Sequence, residues 1–146
     1  MNRLLVLLFV ALAGFTSAVS AEDERAYTEG PVSAVTSVKI MDGQYDNYVA
    51  YLAKTYKPMM EAQKEAGIIL DYSVYDATAR SAGDADLYLV VTYPNMASMD
   101  GLQAKTEPLQ SKITGMNRTQ AAAASAERGK MREIMGSELI RELLLK

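Results

Sequence analysis

Residues 31–75 read PVSAVTSVKIMDGQYDNYVAYLAKTYKPMMEAQKEAGIILDYSVY, and within this stretch the hydrophobic period changes twice. Its first eleven residues are rich in β-branched side chains. Val32, Ala34, Thr36, Val38 and Ile40 alternate with Ser33, Val35, Ser37, Lys39 and Met41. A period of two over that length predicts a strand. Asp42-Gly43 marks a turn, after which Tyr45, Tyr48, Val49, Leu52, Tyr56, Met59, Met60 and Ala66 recur at helical spacing as far as Gly67. The spacing predicts an amphipathic helix that stops at the glycine, with Asp46 in its first turn and Pro58 breaking one backbone bond and bending it. From Ile68 the period returns to two, with Ile68, Leu70, Tyr72 and Val74 alternating against Ile69, Asp71, Ser73 and Tyr75. A second strand is expected there.

Beyond this unit, Asp86 to Tyr93 alternates Leu87, Leu89 and Val91 with Tyr88, Val90 and Thr92, which predicts a third strand. Ala77 to Ala85 joins the two strands by a loop longer than a tight hairpin turn, and Arg80 is its basic residue. Asn95 suits the N-cap of a helix carrying Met96, Met99 and Leu102, kinked or restarted near Pro108 and running through Ile113. Thr119 to Met135 is alanine-rich, and its propensity predicts a helix stopped by Gly136. Ser137 to Lys146 reads as either a last strand or a helix, a strand being favoured because Gly136 has just ended one helix. The expected order is an α+β, ferredoxin-like βαββαβ antiparallel sheet with helices on one face and an extra helix before the last strand.

Upstream, Met1, Asn2 and Arg3 give a short positive end, and Leu4 to Ala13 form ten unbroken apolar residues before a small-residue stretch ending at Ala21. This is the pattern of a cleaved signal peptide over residues 1–21. As a helix the apolar run spans about 15 Å, roughly half the hydrocarbon core of a bilayer. Export to periplasm or medium is therefore expected, with no membrane attachment after cleavage. Residues 22–30, which hold four acids, read as a flexible acidic lead, and residues 31–146 as one domain.

The 146-residue chain carries 15 basic and 18 acidic residues, a net charge of −3, and contains no His, Cys or Trp. The basic residues never form a run, so nucleic acid is not an expected partner. Without His or Cys there is no imidazole or thiolate nucleophile system and no conventional zinc, copper or iron–sulfur site. No metal and no cofactor are expected. The methionines read as adaptable core filler, and Asn117-Arg118-Thr119 as a chance match to the glycosylation triplet.

The opening strand, the tyrosine-bearing helix YDNYVAYLAKTYKPMMEAQKEAG, the IILDYSVY strand and the DLYLVVTYPNMASMDGL strand-to-helix join together resemble the dimeric α+β barrel superfamily. That group includes NIPSNAP-type, antibiotic-biosynthesis-monooxygenase-type and stress-responsive barrel proteins. The resemblance spans roughly Val32 to Leu102. It implies two sheets packed face to face in a homodimer, with ligand pockets, when present, between sheet and helices. Haem-dependent members lean on a His near the iron, and several cofactor-free oxygenases use Trp or His, none of which this chain has.

Nine tyrosines fall between Tyr27 and Tyr93. Tyr45, Tyr48 and Tyr56 on the helix and Tyr72 on its strand are candidates to line a polar-tipped pocket, because a buried phenol needs a partner for its hydroxyl. Ordinary core filling is the competing reading. Arg80 is the candidate clamp for an anionic group at the pocket mouth. On the opposite sheet face, Lys39, Asp71, Tyr75, Tyr88 and Val90, with Val35 and Ile69 among them, form the candidate dimer face, where Lys39 and Asp71 are placed to pair. Function therefore reads as an exported homodimer that binds a small hydrophobic or aromatic molecule without catalysis. Two alternatives stand beside it: a cofactor-free oxygenase or isomerase of the barrel type, for which a tyrosine would need strong tuning to act as a base, and a structural or stress-related homodimer without ligand.

Overall fold

The computed structural model describes residues 25–146, so the expected leader, residues 1–21, lies outside the described residues. Four strands form one antiparallel sheet: β1 (Tyr27–Ile40), β2 (Asp71–Asp76), β3 (Leu87–Tyr93) and β4 (Arg132–Leu145), in the spatial order β2-β3-β1-β4. The tyrosine-bearing helix, α1 (Tyr45–Tyr51) continued as α2 (Lys57–Glu65), crosses from β1 to β2, and α3 (Leu102–Thr114) and α4 (Arg118–Glu127) join β3 to β4. This is the ferredoxin-like α+β order, with α4 as the extra helix before the last strand.

Between α1 and α2 the helix widens into a π segment, Leu52–Tyr56, where the Lys57 N–H donates to the Leu52 carbonyl five residues back. Pro58 follows at the start of α2, so the helix is loosened ahead of the proline rather than simply losing one bond to it. The wider turn also sets the facing of the side chains. Tyr48, Leu52, Tyr56 and Met60 are spaced by four, and in a regular α-helix each such step overshoots a full turn by about 40°. The π segment takes up that drift and keeps all four against the sheet.

The core lies between this helix and the sheet in two clusters. Val38, Tyr48, Leu52 and Leu87 form one; Met60, Ile69 and Tyr93 form the other, and Tyr56 packs against both. The helix ends in a Schellman motif: Gly67 takes φ 68°, its N–H donates to the Lys64 carbonyl, and the Ile68 N–H donates to Gln63. Using Ile68 in this way delays β2 to Asp71, later than its period implied. Ile69 consequently turns into the core and Leu70 faces out, the reverse of the alternation expected for them, and Ile69 leaves the candidate dimer face.

Three further differences come from pairing across the chain. Residues 27–30, expected in the flexible lead, belong to β1, because Tyr27, Thr28 and Glu29 pair with Leu145, Leu144 and Leu143. A bulge at Gly30-Pro31 follows, where a Cβ on Gly30 would come within 3.0 Å of the Glu142 carbonyl oxygen and Pro31 has no N–H to lose. The alanine-rich helix ends at Glu127 rather than Met135, and after a short 3₁₀ turn, Arg128–Lys130, the chain enters β4. Gly136 therefore sits in a strand beside a bulge at Met135, and the segment after it is strand, as favoured. Asn117 caps α4, its side-chain Oδ1 accepting from the Gln120 N–H at 2.9 Å while the Gln120 side chain accepts from the Asn117 N–H at 2.9 Å. Pro108 sits within α3, which starts afresh after Gly101 and the short turn capped by Asn95.

Candidate functional site

The sheet-facing row of the helix brings three of the expected tyrosines together. Tyr48 is 2 % exposed and stacks on Tyr51 with ring centroids 5.8 Å apart. Tyr56 meets Tyr72 edge-on at 6.1 Å. The Tyr72 hydroxyl donates to the Glu61 carboxylate at 2.6 Å, and that bond raises its pKa to about 12. The Tyr56 hydroxyl is buried and has no hydrogen-bond partner among the described residues. Burial pushes it well up, and burial likewise raises Tyr48, with Arg132 and Arg128 pulling the other way, and Tyr93.

Tyr45 and Arg80 stand apart from this group. Tyr45 is at the solvent edge, where its hydroxyl donates to Asp76 at 2.9 Å. Arg80 projects into solvent from the β2–β3 loop, 3.9 Å from an Asp84 oxygen that accepts the Arg80 and Ser81 backbone N–H groups. It borders an open cleft of about 340 Å³ with Ser37, Tyr88 and Met135. Ser37 and Tyr88 alternate with the buried Val38 and Leu87, which places that cleft across the sheet from the tyrosines.

On the same open face, register aligns Tyr75, Tyr88 and Ser37 in one row and Ser73, Val90 and Val35 in the next. Lys39 does not pair with Asp71: its ammonium donates to the Asp86 carboxylate at 2.9 Å and to the Asp84 carbonyl at 3.0 Å, while Asp71 accepts from Lys64 at 2.8 Å. The reason is distance across the sheet, since β3 lies between β1 and β2.

The feature that residue pattern did not single out is on the flank of the helix. A cavity of about 430 Å³ opens there, lined by Tyr51, Thr55 and Met59 from the helix and by Gln110, Thr114, Met116, Ala121, Ala124, Glu127 and Arg128 from α3, α4 and their joints. Tyr51, Thr55 and Met59 repeat the four-residue step of the core row one position earlier, so the π segment aligns them too. Most of the wall is apolar. At the rim, the Arg128 guanidinium lies 4.7 Å from the centre of the Tyr51 ring. The helical spacing of Tyr51 and Thr55 is visible in the sequence, but nothing there marks Arg128, 77 positions away. Among the described residues no cluster of acids suited to a metal ion occurs, and no helix is long and apolar enough to cross a membrane.

No family model and no curated protein matches the chain. Among solved structures it is similar to HapK from Hahella chejuensis, with a TM-score of 0.53 and 10 % identity over 76 % of this chain and 91 % of that one. It is also similar to protein SO0527 from Shewanella oneidensis, with a TM-score of 0.50 and 16 % identity over 81 % and 96 % of the two chains. A looser match is a dimeric ferredoxin-like protein from Thermobifida fusca, with a TM-score of 0.47 and 14 % identity over 81 % and 94 %. At these identities the likeness to the first two shows a shared fold and nothing beyond it.

Proposed function

We propose that the chain is exported, is cleaved after Ala21, and works as a homodimer that holds a small hydrophobic or aromatic molecule beside its tyrosine-bearing helix without transforming it. The observation that carries the binding half is the 430 Å³ cavity on the helix flank, whose volume falls within the range of about 300–1,000 Å³ usual for ligand pockets. It moves the expected site from between helix and sheet, where Tyr48 is tightly packed, to the adjoining side of the same helix. Every tyrosine with a shifted pKa is raised, which weighs against a tyrosine acting as a base and favours binding over the oxygenase or isomerase reading.

The dimer half rests on β4. This strand is at the sheet edge and, at 14 residues, runs about 46 Å. Ile134, Leu139, Ile140, Leu143 and Leu144 are each about half exposed, and they point alternately to both faces. A long apolar edge strand invites pairing or aggregation unless it is covered, and a second copy of the chain covers it. The mixed open face with Tyr75, Tyr88 and Val90 adjoins it and extends the same surface.

Native mass spectrometry of the protein purified from the exported fraction tests the proposal. A dimer of chains beginning at Glu22, carrying an additional small molecule, is the expected result. A bare dimer would remove the binding half, a monomer carrying a small molecule the dimer half, and a bare monomer both.

A further inference from the structure

The flank cavity has apolar walls and one cation. Tyr51, Met59, Met116 and Ala124 are among its apolar lining residues, and Arg128 is the basic residue that lines it. Arg128 is half-buried, and its guanidinium carbon sits over the Tyr51 ring, 4.7 Å from the ring centre, rather than beside an acid. The acids nearby are already engaged: Glu127 with Lys130, and Glu107, in the adjoining cleft, with Arg118. Among the described residues no carboxylate pairs with Arg128. A cation held over a ring by its charge leaves guanidinium N–H donors available for an acceptor. A partly desolvated cation without a counter-ion, beside an apolar wall, is electrostatically incomplete.

We infer that the molecule held in this cavity is an amphiphilic carboxylate, its apolar body against Tyr51, Met59 and Met116 and its carboxylate on the Arg128 donors. The inference rests on the proposed binding at the cavity and adds the chemical class of the ligand. One planar fork matches one carboxylate bidentately. A phosphate-type dianion fits less well, because no second cation lines the cavity and Glu127 stands at its edge. The volume suits a medium-chain or single-ring acid, near the lower end of the usual pocket range. Thr55, Gln110 and Thr114 are uncharged polar residues in the wall; the Thr114 hydroxyl already donates to the Gln110 backbone carbonyl at 2.8 Å, which leaves the Thr55 hydroxyl and the Gln110 amide to bond the second carboxylate oxygen.

Calorimetric titration of the mature protein with octanoate, octanol and octylammonium tests this. Octanoate binds tightest in the wild type; Arg128→Gln weakens it by about ten- to a hundredfold and leaves octanol within about twofold. Ala124→Phe, which fills the cavity, removes both. Equal binding of octanoate and octanol, or an Arg128→Gln loss shared by both, overturns the carboxylate inference and leaves an apolar pocket standing. Binding of none of the three probes, with Ala124→Phe also failing to displace any retained small molecule, overturns the pocket itself. If Arg128→Gln does not fold by circular dichroism, salt dependence in the wild type decides: octanoate binding weakens severalfold at high salt while octanol binding does not, and salt-independent octanoate binding overturns the inference.

Discussion

Tyr56→Phe is expected to make the protein more stable. The hydroxyl it removes is buried where Tyr56 packs against both core clusters and has no partner among the described residues, so folding strips its hydration and returns no hydrogen bond. An unmade bond of this kind costs about 1–3 kcal/mol. Against it stands the void left by one oxygen, on the order of 10 Å³, which at about 24 cal/mol per Å³ costs about 0.2 kcal/mol. Phenylalanine keeps the aromatic ring that meets Tyr72 edge-on. The net expectation is a gain of about 1–3 kcal/mol, or roughly 4–11 °C in Tm for a domain of this size. Urea and thermal melts at neutral pH, followed by far-UV circular dichroism, measure it. Tyr72→Phe is the control: its hydroxyl is bonded to Glu61 at the surface, and its loss brings no gain. If Tyr56→Phe instead lowers stability by about 1 kcal/mol or more, the hydroxyl has a partner in the folded protein, and the reasoning fails.

Three further outcomes are expected. Ile140→Glu with Leu144→Glu, both half-exposed on β4, should convert the dimer to a folded monomer by light scattering, and an unchanged mass would place the interface elsewhere. Leu87→Ala, at a side chain 2 % exposed in the first core cluster, should cost about 2–5 kcal/mol in urea melts, and a cost below about 1 kcal/mol would mean the core is not there. Asp86 accepts the Ile40 N–H at 2.7 Å and the Lys39 ammonium at 2.9 Å, and these bonds hold its pKa below the usual carboxylate range. Its contribution is therefore present above the unfolded value near about 3.9 and is lost as pH falls through the lower folded value. Asp86→Asn should flatten that acid-side decline in stability, and an unchanged pH profile would refute the linkage.

The elements of this protein were legible wherever one face of a local segment meets the core. Val32 to Ile40 and Leu87 to Tyr93 show their period of two because one side packs on the helix, and Tyr48 to Met60 show a helical period for the same reason from the other side. Which tyrosines could be buried followed partly from this spacing: Tyr48, Tyr56 and Tyr72 pack at the core, while Tyr45, at the first position of the helix, is exposed and bonds to Asp76 at the end of β2. The places where the residue pattern misled are those where a distant partner decides. Residues 27–30 look like a polar lead, and become strand because Leu143 to Leu145 arrive beside them. Met131 to Met135 look helical after an alanine-rich run, yet the pairing of Ile40, Lys39 and Val38 with Arg132, Glu133 and Ile134 outweighs a propensity difference of a few tenths of a kcal/mol per residue. The partner of Lys39 was likewise a question of strand order, which alternation along one strand does not contain. Sequence alone determined the period of the first three strands and of the tyrosine-bearing helix, and hence the fold class, since periodicity is local and is written by the boundary between core and water. Tertiary structure alone decided that Arg128 stands over Tyr51 at the mouth of a cavity, because a site made from two helices far apart in the chain exists only once packing has brought them together.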